Sequence, residues 1–257
     1  MANSLVNFRD LSLLNKSAHL SKGVIFRGSN LFNADLKAIE TIKSNNIKTI
    51  IDLRCPYEIN TRPDVRIDGV TYLNIPILSD NHMGITDEIK KAQKDTFLED
   101  MLKNRGEIEY QESLYVLFAE DEFCLRGFSQ LIKSLAYEVD YPVMFHCSRG
   151  KDRAGIASYI ICKTLGANEA DLTEDYIKSA EILQPYLEKE VEEISKSIHS
   201  PHLEEVYYNL FSVLPSYLNA FKTQVDKNYG NFATFIKNGL KLNEKDLSLF
   251  KSKFSKR

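Results

Sequence analysis

Ten residues, His146 to Gly155, read HCSRGKDRAG and constrain this chain more than any other stretch. An apolar run, Tyr141-Pro-Val-Met-Phe145, leads into them, and Ile156-Ala-Ser-Tyr-Ile-Ile-Cys162 leads out with the pattern of a buried helix. A strand, a glycine-bearing turn and a helix start in that order make a cradle for an anion. The N–H groups of the turn converge, and the helix dipole adds positive potential. Cys147 and Arg153 stand at the two ends of the turn with five residues between them. A thiolate at the base of such a cradle is expected to have a depressed pKa, and the thiolate is the form that attacks. Arg153 carries a planar fork suited to two oxygens of a phosphate, and Arg149 and Lys151 add cations beside it. A cysteine near an arginine is ordinarily a small buried hydrophobe beside a solvated charge. Here four features agree on one context: the His-Cys pair at a strand end, Gly150 in mid-turn, the spacing to Arg153, and Gly155 on the helix. They point to a cysteine-dependent phosphatase.

The stretch resembles the phosphate-binding signature H-C-x5-R of the protein-tyrosine-phosphatase superfamily. Its Gly-Lys-Asp-Arg core resembles more closely the bacterial and fungal tyrosine-phosphatase group. The likeness extends to Asn7-Phe-Arg-Asp-Leu11, Phe26-Arg-Gly-Ser29, Ile51-Asp-Leu-Arg54 with Glu58, Asn74-Ile-Pro-Ile77 and the Tyr229-Gly230 segment. It therefore spans most of the chain. One departure stands out: the resembled family usually carries Thr or Ser immediately after the arginine, and this chain has Ala154.

A length of 257 residues suffices for one large core or two small ones. Few Gly or Pro residues mark a linker, so a single domain over 1–257 is expected. A net charge of −3 gives no support for a nucleic-acid binder, so any attraction for anions must be local. The N-terminus has no basic region followed by an apolar core, and no apolar run approaches the ~18 residues that cross a bilayer. Cys55, Cys124, Cys147 and Cys162 show neither ligand spacing nor a disulfide-dense pattern. A reduced, cytoplasmic setting is the simplest expectation, although the resemblance leaves export without a signal open.

Along the chain, residues 1–23 are turn-rich with no clear period. Val24–Arg27 reads as a strand, and Asn33 as the N-cap of a helix running to about Ser44. Ile47–Leu53 and Val70–Ile75 read as strands, the first of them buried. The segment from Asp80 to about Gly106 is polar, with an imperfect helical period over Thr86–Lys103. Residues 111–138 predict one or two helices that feed a strand at 142–146. Beyond Leu165-Gly166, a C-cap, the pattern is helical: Asp171–Leu183, Pro185–Ser197, Leu203–Leu210, Ser216–Tyr229 and a short final helix at Asn243–Phe250. This order predicts an α/β sandwich with a mainly parallel central sheet flanked by helices, as in tyrosine phosphatases, and a helical C-terminal part.

The chemistry follows from the loop. Cys147 is the expected nucleophile, forming a phosphocysteine intermediate, with Ser148, Arg149, Gly150, Lys151, Ala154 and Gly155 lining the cradle. Arg153 binds ground state and transition state and favours the latter. In the resembled family, His146 supports the thiolate by hydrogen bonding. Leaving-group expulsion needs a general acid. Asp152, at the loop position where the resembled group uses an aspartate, competes with Asp80, which lies on a loop past a strand end; Asp152 is favoured. Arg54 and Asp52 fall at a strand's C-terminal end, where ligands sit in parallel folds, and Arg27 is placed comparably. A structural Arg54–Glu58 pair is an equal alternative. The five histidines, His19, His82, His146, His199 and His202, are scattered, so no metal or other cofactor is expected. Phosphotyrosine on protein is the default substrate by resemblance. Lys151 and Arg149 keep a phosphoinositide, inositol-phosphate or inositol-pyrophosphate phosphatase as the rival, and a silent phosphate-binding module is a third reading.

Overall fold

The computed structural model describes residues 5–81 and 88–254. Five strands form one sheet in the order β1-β2-β5-β3-β4: β1 Arg9–Asp10, β2 Ile25–Gly28, β3 Thr49–Asp52, β4 Thr71–Asn74 and β5 Val143–His146. All neighbours are parallel except β1, which runs antiparallel to β2. The expected mainly parallel sheet is therefore present. The two-residue β1 lies in a segment that carries no strand period, because two residues are too few to show one.

Alternation along the central strands divides the core between the two sheet faces. Ile25, Ile51, Val143 and Phe145 pack on one face, while Phe26, Ile50 and Met144 pack on the other. The second face is covered by α1, Leu36–Ser44, through Ala38 and Ile42. The first face takes α5, Glu122–Tyr137, and α6, Asp152–Thr164. Truncating a residue such as Phe145, which is fully buried, would cost about 3–5 kcal/mol. α1 is capped by Asp35, whose side chain accepts from the Ala38 N–H, rather than by Asn33; Asn33 instead takes a left-handed turn conformation at φ 53°.

Between β3 and β4 the chain makes α2, Pro56–Thr61, which is not among the helices expected above. α3 spans Lys91–Asn104, starting later than the expected Thr86: residues 88–89 are a turn and bend, and 86–87 lie outside the described residues. The 111–138 stretch forms two helices, α4 Glu107–Glu120 and α5, with Asp121 ending one and capping the other. α7, Glu169–Ile194, is one continuous helix of 26 residues, whereas a break before Pro185 was expected. Proline in a helix interior removes a hydrogen bond. Packing overrides that cost here, because Leu183 and Leu187, on either side of the proline, both bury against α8, Leu203–Phe211. α9 Pro215–Tyr229, α10 Phe232–Thr234, a π-turn at Phe235–Gly239 and α11 Glu244–Phe254 complete the described residues.

Candidate active site

Register places the site. Gly28, His146 and Asp52 stand abreast at the C-terminal ends of β2, β5 and β3, the edge at which parallel α/β folds bind ligands. The loop 147–151 leaves β5 at that edge and enters α6. Its carbonyls are held from behind. Arg27 Nη2 donates to Gly150 O at 2.7 Å and Lys151 O at 3.2 Å, and Asn7 Nδ2 donates to Gly150 O at 2.9 Å. Arg27 and Arg9 are in turn fastened to buried Asp175 on α7 at 2.8 and 2.7 Å. Fastening the carbonyls outward leaves the turn's N–H groups for its concave side. Gly150 has φ 68°, and a Cβ there would fall 2.4 Å from Gly28 O, so no other residue fits the turn.

Cys147 lies buried at the base of the loop. Burial pushes its thiol up; Arg153 and a hydrogen bond from the Ala154 N–H pull it down, while Asp152 and Glu58 push up again. The balance lies above the ordinary thiol value, not below it as expected from the cradle alone. The cause is Glu58. Its carboxylate grips Arg153 with both oxygens, at 2.5 Å from Nη1 and 2.7 Å from Nη2, and screens the charge that would favour a thiolate. Against burial, which raises it, Arg153 draws the Glu58 carboxyl down to about 2. Arg153 also donates to Ser148 Oγ at 3.3 Å, and its Nε–H has no partner among the described residues. Arg153 thus keeps donors for an incoming oxyanion.

A second network backs His146. Its Nδ1 stands 3.2 Å from Cys147 O and its Nε2 is 2.9 Å from Asp64 Oδ2. Burial would lower the imidazole's pKa, but Asp52 and Asp64 raise it above its ordinary value. Asp64 in turn is held at about 2: burial opposes this, and His146 and Arg54 outweigh it. Arg54 pairs with Asp52 and Asp64 at 2.8 Å each and reaches Glu88 at 3.3 Å. The alternative of an Arg54–Glu58 pair is thus replaced: Glu58 serves Arg153, and Arg54 serves three other carboxylates. Asp52, Asp64 and His146 approach closely enough to hold a cation, and the Arg54 guanidinium already lies on both carboxylates. Glu88 also accepts from Ser148 Oγ at 2.8 Å, beside the Ser148 bond to Glu58 at 3.0 Å.

Asp152 opens α6 on the opposite wall. Its Oδ1 accepts from the Tyr115 hydroxyl of α4 at 2.8 Å, and Tyr115 accepts from the Tyr176 hydroxyl of α7 at 2.8 Å. Lys151 Nζ is 3.6 Å from the same Oδ1.

A family model described as the tyrosine phosphatase family matches residues 1–256. The chain belongs to that family. It is a cysteine-dependent phosphatase of the tyrosine-phosphatase type. It is similar to the triple specificity protein phosphatase PtpB of Mycobacterium tuberculosis, 24% identical over 90% of each chain. It is also similar to a putative tyrosine-protein phosphatase of Cupriavidus necator, 23% identical over 93% of this chain and 83% of that one. Among solved structures, the core catalytic domain of the PP-IP phosphatase SIW14 of S. cerevisiae superposes with a TM-score of 0.34 at 14% identity, covering 69% of this chain and 91% of that one.

Within this tyrosine-phosphatase loop, two cations are directed away from the cradle. Lys151 is buried, and its Nζ donates to the carbonyls of Leu210 and Ser212 at 2.8 and 2.9 Å, tying the loop to the end of α8. Burial pushes its ammonium below the ordinary lysine value. Arg149 pairs with Glu190 of α7 at 3.0 Å and lies over the Phe211 ring at 5.0 Å. Asp80 is exposed and accepts from the Tyr57 N–H at the start of α2 at 3.1 Å. A cavity of about 290 Å³ opens beside Ser148 and Arg149, walled by Phe32, Arg62, Leu183 and Tyr186. A wider one of about 640 Å³, between α5 and the 238–241 turn, shares no residue with the cradle.

Five residues that the sequence pattern does not mark reach the site: Asp64, Glu88, Tyr115, Asp175 and Tyr176. Glu58 pairs with Arg153 and not with Arg54. A sequence sign for Glu58 existed: Cys55-Pro56 opens a helix, and Glu58 at its third position closes a capping box on the Cys55 N–H at 2.9 Å. That reciprocal bond fixes the carboxylate at the helix start, where it meets Arg153.

Proposed function

We propose that the chain hydrolyses phosphotyrosine on protein through Cys147, Arg153 and Asp152, acting as one catalytic domain. The Cys147 sulfur attacks phosphorus, and the P–O bond to the tyrosyl oxygen breaks as Asp152 gives that oxygen its proton. Arg153 and the loop N–H groups hold the three remaining phosphate oxygens and stabilise the charge spread over them in transfer. Water then attacks phosphocysteine with Asp152 taking its proton. The S–P bond breaks, phosphate leaves and the thiolate is restored. Displacement by sulfur needs no metal.

The observation that carries the reading is the single strand–turn–helix that holds Cys147, Arg153 and Asp152 together, with one Asp152 oxygen engaged by Tyr115 and the other, Oδ2, bonded to nothing among the described residues. Asp80, by contrast, is occupied at the start of α2. The cavity beside Ser148, with Phe32, Leu183 and Tyr186 in its walls, suits an aromatic ring more than a chain of hydroxyls. Arg149 and Lys151, the cations that favour an inositol phosphate, are tied to Glu190 and to α8. The mycobacterial relative's name, triple specificity, keeps breadth in view. The four thiols are free and buried, which fits a reducing compartment, and no described helix is long and apolar enough to cross a membrane.

The test compares a phosphotyrosyl peptide, a phosphoseryl peptide and phosphoinositide vesicles at matched concentration. Phosphotyrosine is expected to lead by about tenfold or more in kcat/KM. Cys147→Ser is expected to lose turnover while still binding orthovanadate, because an alkoxide is much harder to form than a thiolate. A lead for phosphoinositide, or turnover by Cys147→Ser, overturns the assignment.

A further inference from the structure

We infer that Tyr115, backed by Tyr176, is the positioning residue of the general acid: its hydroxyl holds Asp152 Oδ1 so that Oδ2 carries the transferred proton. This rests on Asp152 being the acid. A carboxyl group has two oxygens, and catalysis needs the proton on the one that faces the leaving group. Tyr115 donates to Oδ1 at 2.8 Å, and an oxygen that accepts a hydrogen bond is the poorer seat for a proton. Lys151 Nζ, 3.6 Å from the same atom, biases the carboxyl in the same sense. Oδ2, with no partner among the described residues, is left as the donor.

The tyrosine pair is built for this and not merely packed. Tyr115 is wholly buried on α4 and Tyr176 is 1% exposed on α7. Their rings cross edge to face at 88° with centroids 6.1 Å apart, which packs each ring against the other. Tyr176 donates to Tyr115 at 2.8 Å, which uses the Tyr115 lone pair and commits its proton to Asp152. Burial raises both phenols well above the ordinary value, Asp152 adds to it for both, and Tyr176 adds further for Tyr115. Tyr115 therefore keeps its proton, and its place as donor, through the neutral range. Tyr217 of α9 packs on Tyr115 at 5.7 Å but gives its own hydroxyl to Asn209 O, so it takes no part in the chain.

The experiment measures kcat over a series of aryl phosphates whose leaving groups run from 2,4-dinitrophenol to phenol. An activated leaving group departs without a proton, whereas phenol needs one. Tyr115→Phe is expected to stay within about twofold of wild type on the dinitrophenyl ester and to fall by roughly tenfold on phenyl phosphate, with KM little changed. Asp152→Asn should show the same tilt more steeply, by about 10²–10³. In the double variant, Tyr115→Phe should add almost nothing, because it acts through the carboxyl. Tyr176→Phe, one bond further back, should tilt the series in the same direction by less, and it keeps the inference testable if Tyr115→Phe folds poorly. A uniform loss across the series in both tyrosine variants, or no tilt in either, with Asp152→Asn still tilted, overturns the positioning role and leaves the acid in place. A flat series for Asp152→Asn itself removes the acid assignment and the inference with it.

Discussion

The two walls of the cradle are built by different physics. The sheet-side wall is a lattice of paired charges: Glu58 on Arg153, and Arg54 with Asp52, Asp64, Glu88 and His146. The helical wall uses hydroxyls and backbone carbonyls instead: Tyr176 to Tyr115 to Asp152, and Lys151 to Leu210 and Ser212. Paired buried charges are rigid and intolerant of losing one member, since the survivor is left uncompensated. Hydrogen bonds in which one partner is neutral can be removed more cheaply and tune one atom at a time. The sheet side thus fixes where Arg153 and the sulfur stand, and the helical side decides which oxygen of the acid works and which cations face the substrate.

The widest separation between the walls is expected from Glu58→Gln. Removing one partner of a buried pair costs about 3–5 kcal/mol of stability and frees Arg153 to swing. The effect depends on pH with a definite sign. Glu58 titrates near 2 in the folded chain, below its unfolded value of about 4.3. Its contribution is therefore complete above about pH 4.3 and is lost as pH falls toward 2. Urea midpoints of wild type should fall over that interval. Those of Glu58→Gln should start lower and fall less, the remaining slope belonging to the other carboxylates held low, Asp64 and Asp175 first among them. Parallel curves would show that the pair does not carry the acid sensitivity.

The cradle was legible in the sequence because its members are neighbours in the chain. Cys147 to Gly155 needs only a strand before it and a helix after it, and both carry their periods openly. The walls were not, because their residues meet only through tertiary packing. Tyr115 lies 37 residues from Asp152 and 61 from Tyr176. In the sequence it is one more large residue on the apolar face of a helix, a pattern that belongs equally to any core tyrosine. Glu88 and Asp64 sit outside regular elements, so no period marks them. Lys151 shows the converse failure. Its place in the loop suggested a substrate cation, but a buried ammonium must find acceptors, and the nearest are carbonyls at the end of α8. In the same way, Pro185 carried a local break signal that the packing of Leu183 and Leu187 outweighed.

A smaller effect is expected on the helical wall from Lys151→Met. The substitution keeps the apolar stem and leaves two carbonyls without their donor, at a cost of about 1.5–3 kcal/mol. Because Lys151 ties α8 and does not face the cradle, kcat/KM for phosphotyrosyl peptide and for phosphoinositide vesicles should change by the same factor. A selective loss on the lipid would show that the lysine turns inward to bind a head group, and the two walls would then share the work of anion recognition.

The smallest effect concerns the floor on which both walls rest. Relatives of this loop usually carry a hydroxyl after the arginine, and this chain has Ala154. Sulfur leaving a phosphoenzyme is favoured by hydrogen bonds to the thiolate, so the missing hydroxyl would be expected to slow that step. Here the Ala154 backbone N–H already serves the sulfur, while the Ser148 hydroxyl is committed to Glu58 and Glu88. One donor is present, and Ala154→Ser adds a second. A serine in the first turn of α6 can also turn its hydroxyl back toward the carbonyl four residues earlier, Gly150 O, which competes with the sulfur. The expected gain is therefore that of one modest hydrogen bond, about 0.5–1.5 kcal/mol, or at most roughly tenfold in breakdown of the intermediate. Threonine would add a methyl group to a fully buried position and risk strain that hides the gain. Thiol alkylation of Ala154→Ser followed against pH should show Cys147 ionising at lower pH than in wild type, and rapid mixing should show a smaller burst of leaving group. An unchanged alkylation profile would mean that the hydroxyl has gone to Gly150 O. The sulfur's high pKa would then be set by burial and by the Glu58–Arg153 pair, which returns control of the nucleophile to the sheet-side wall.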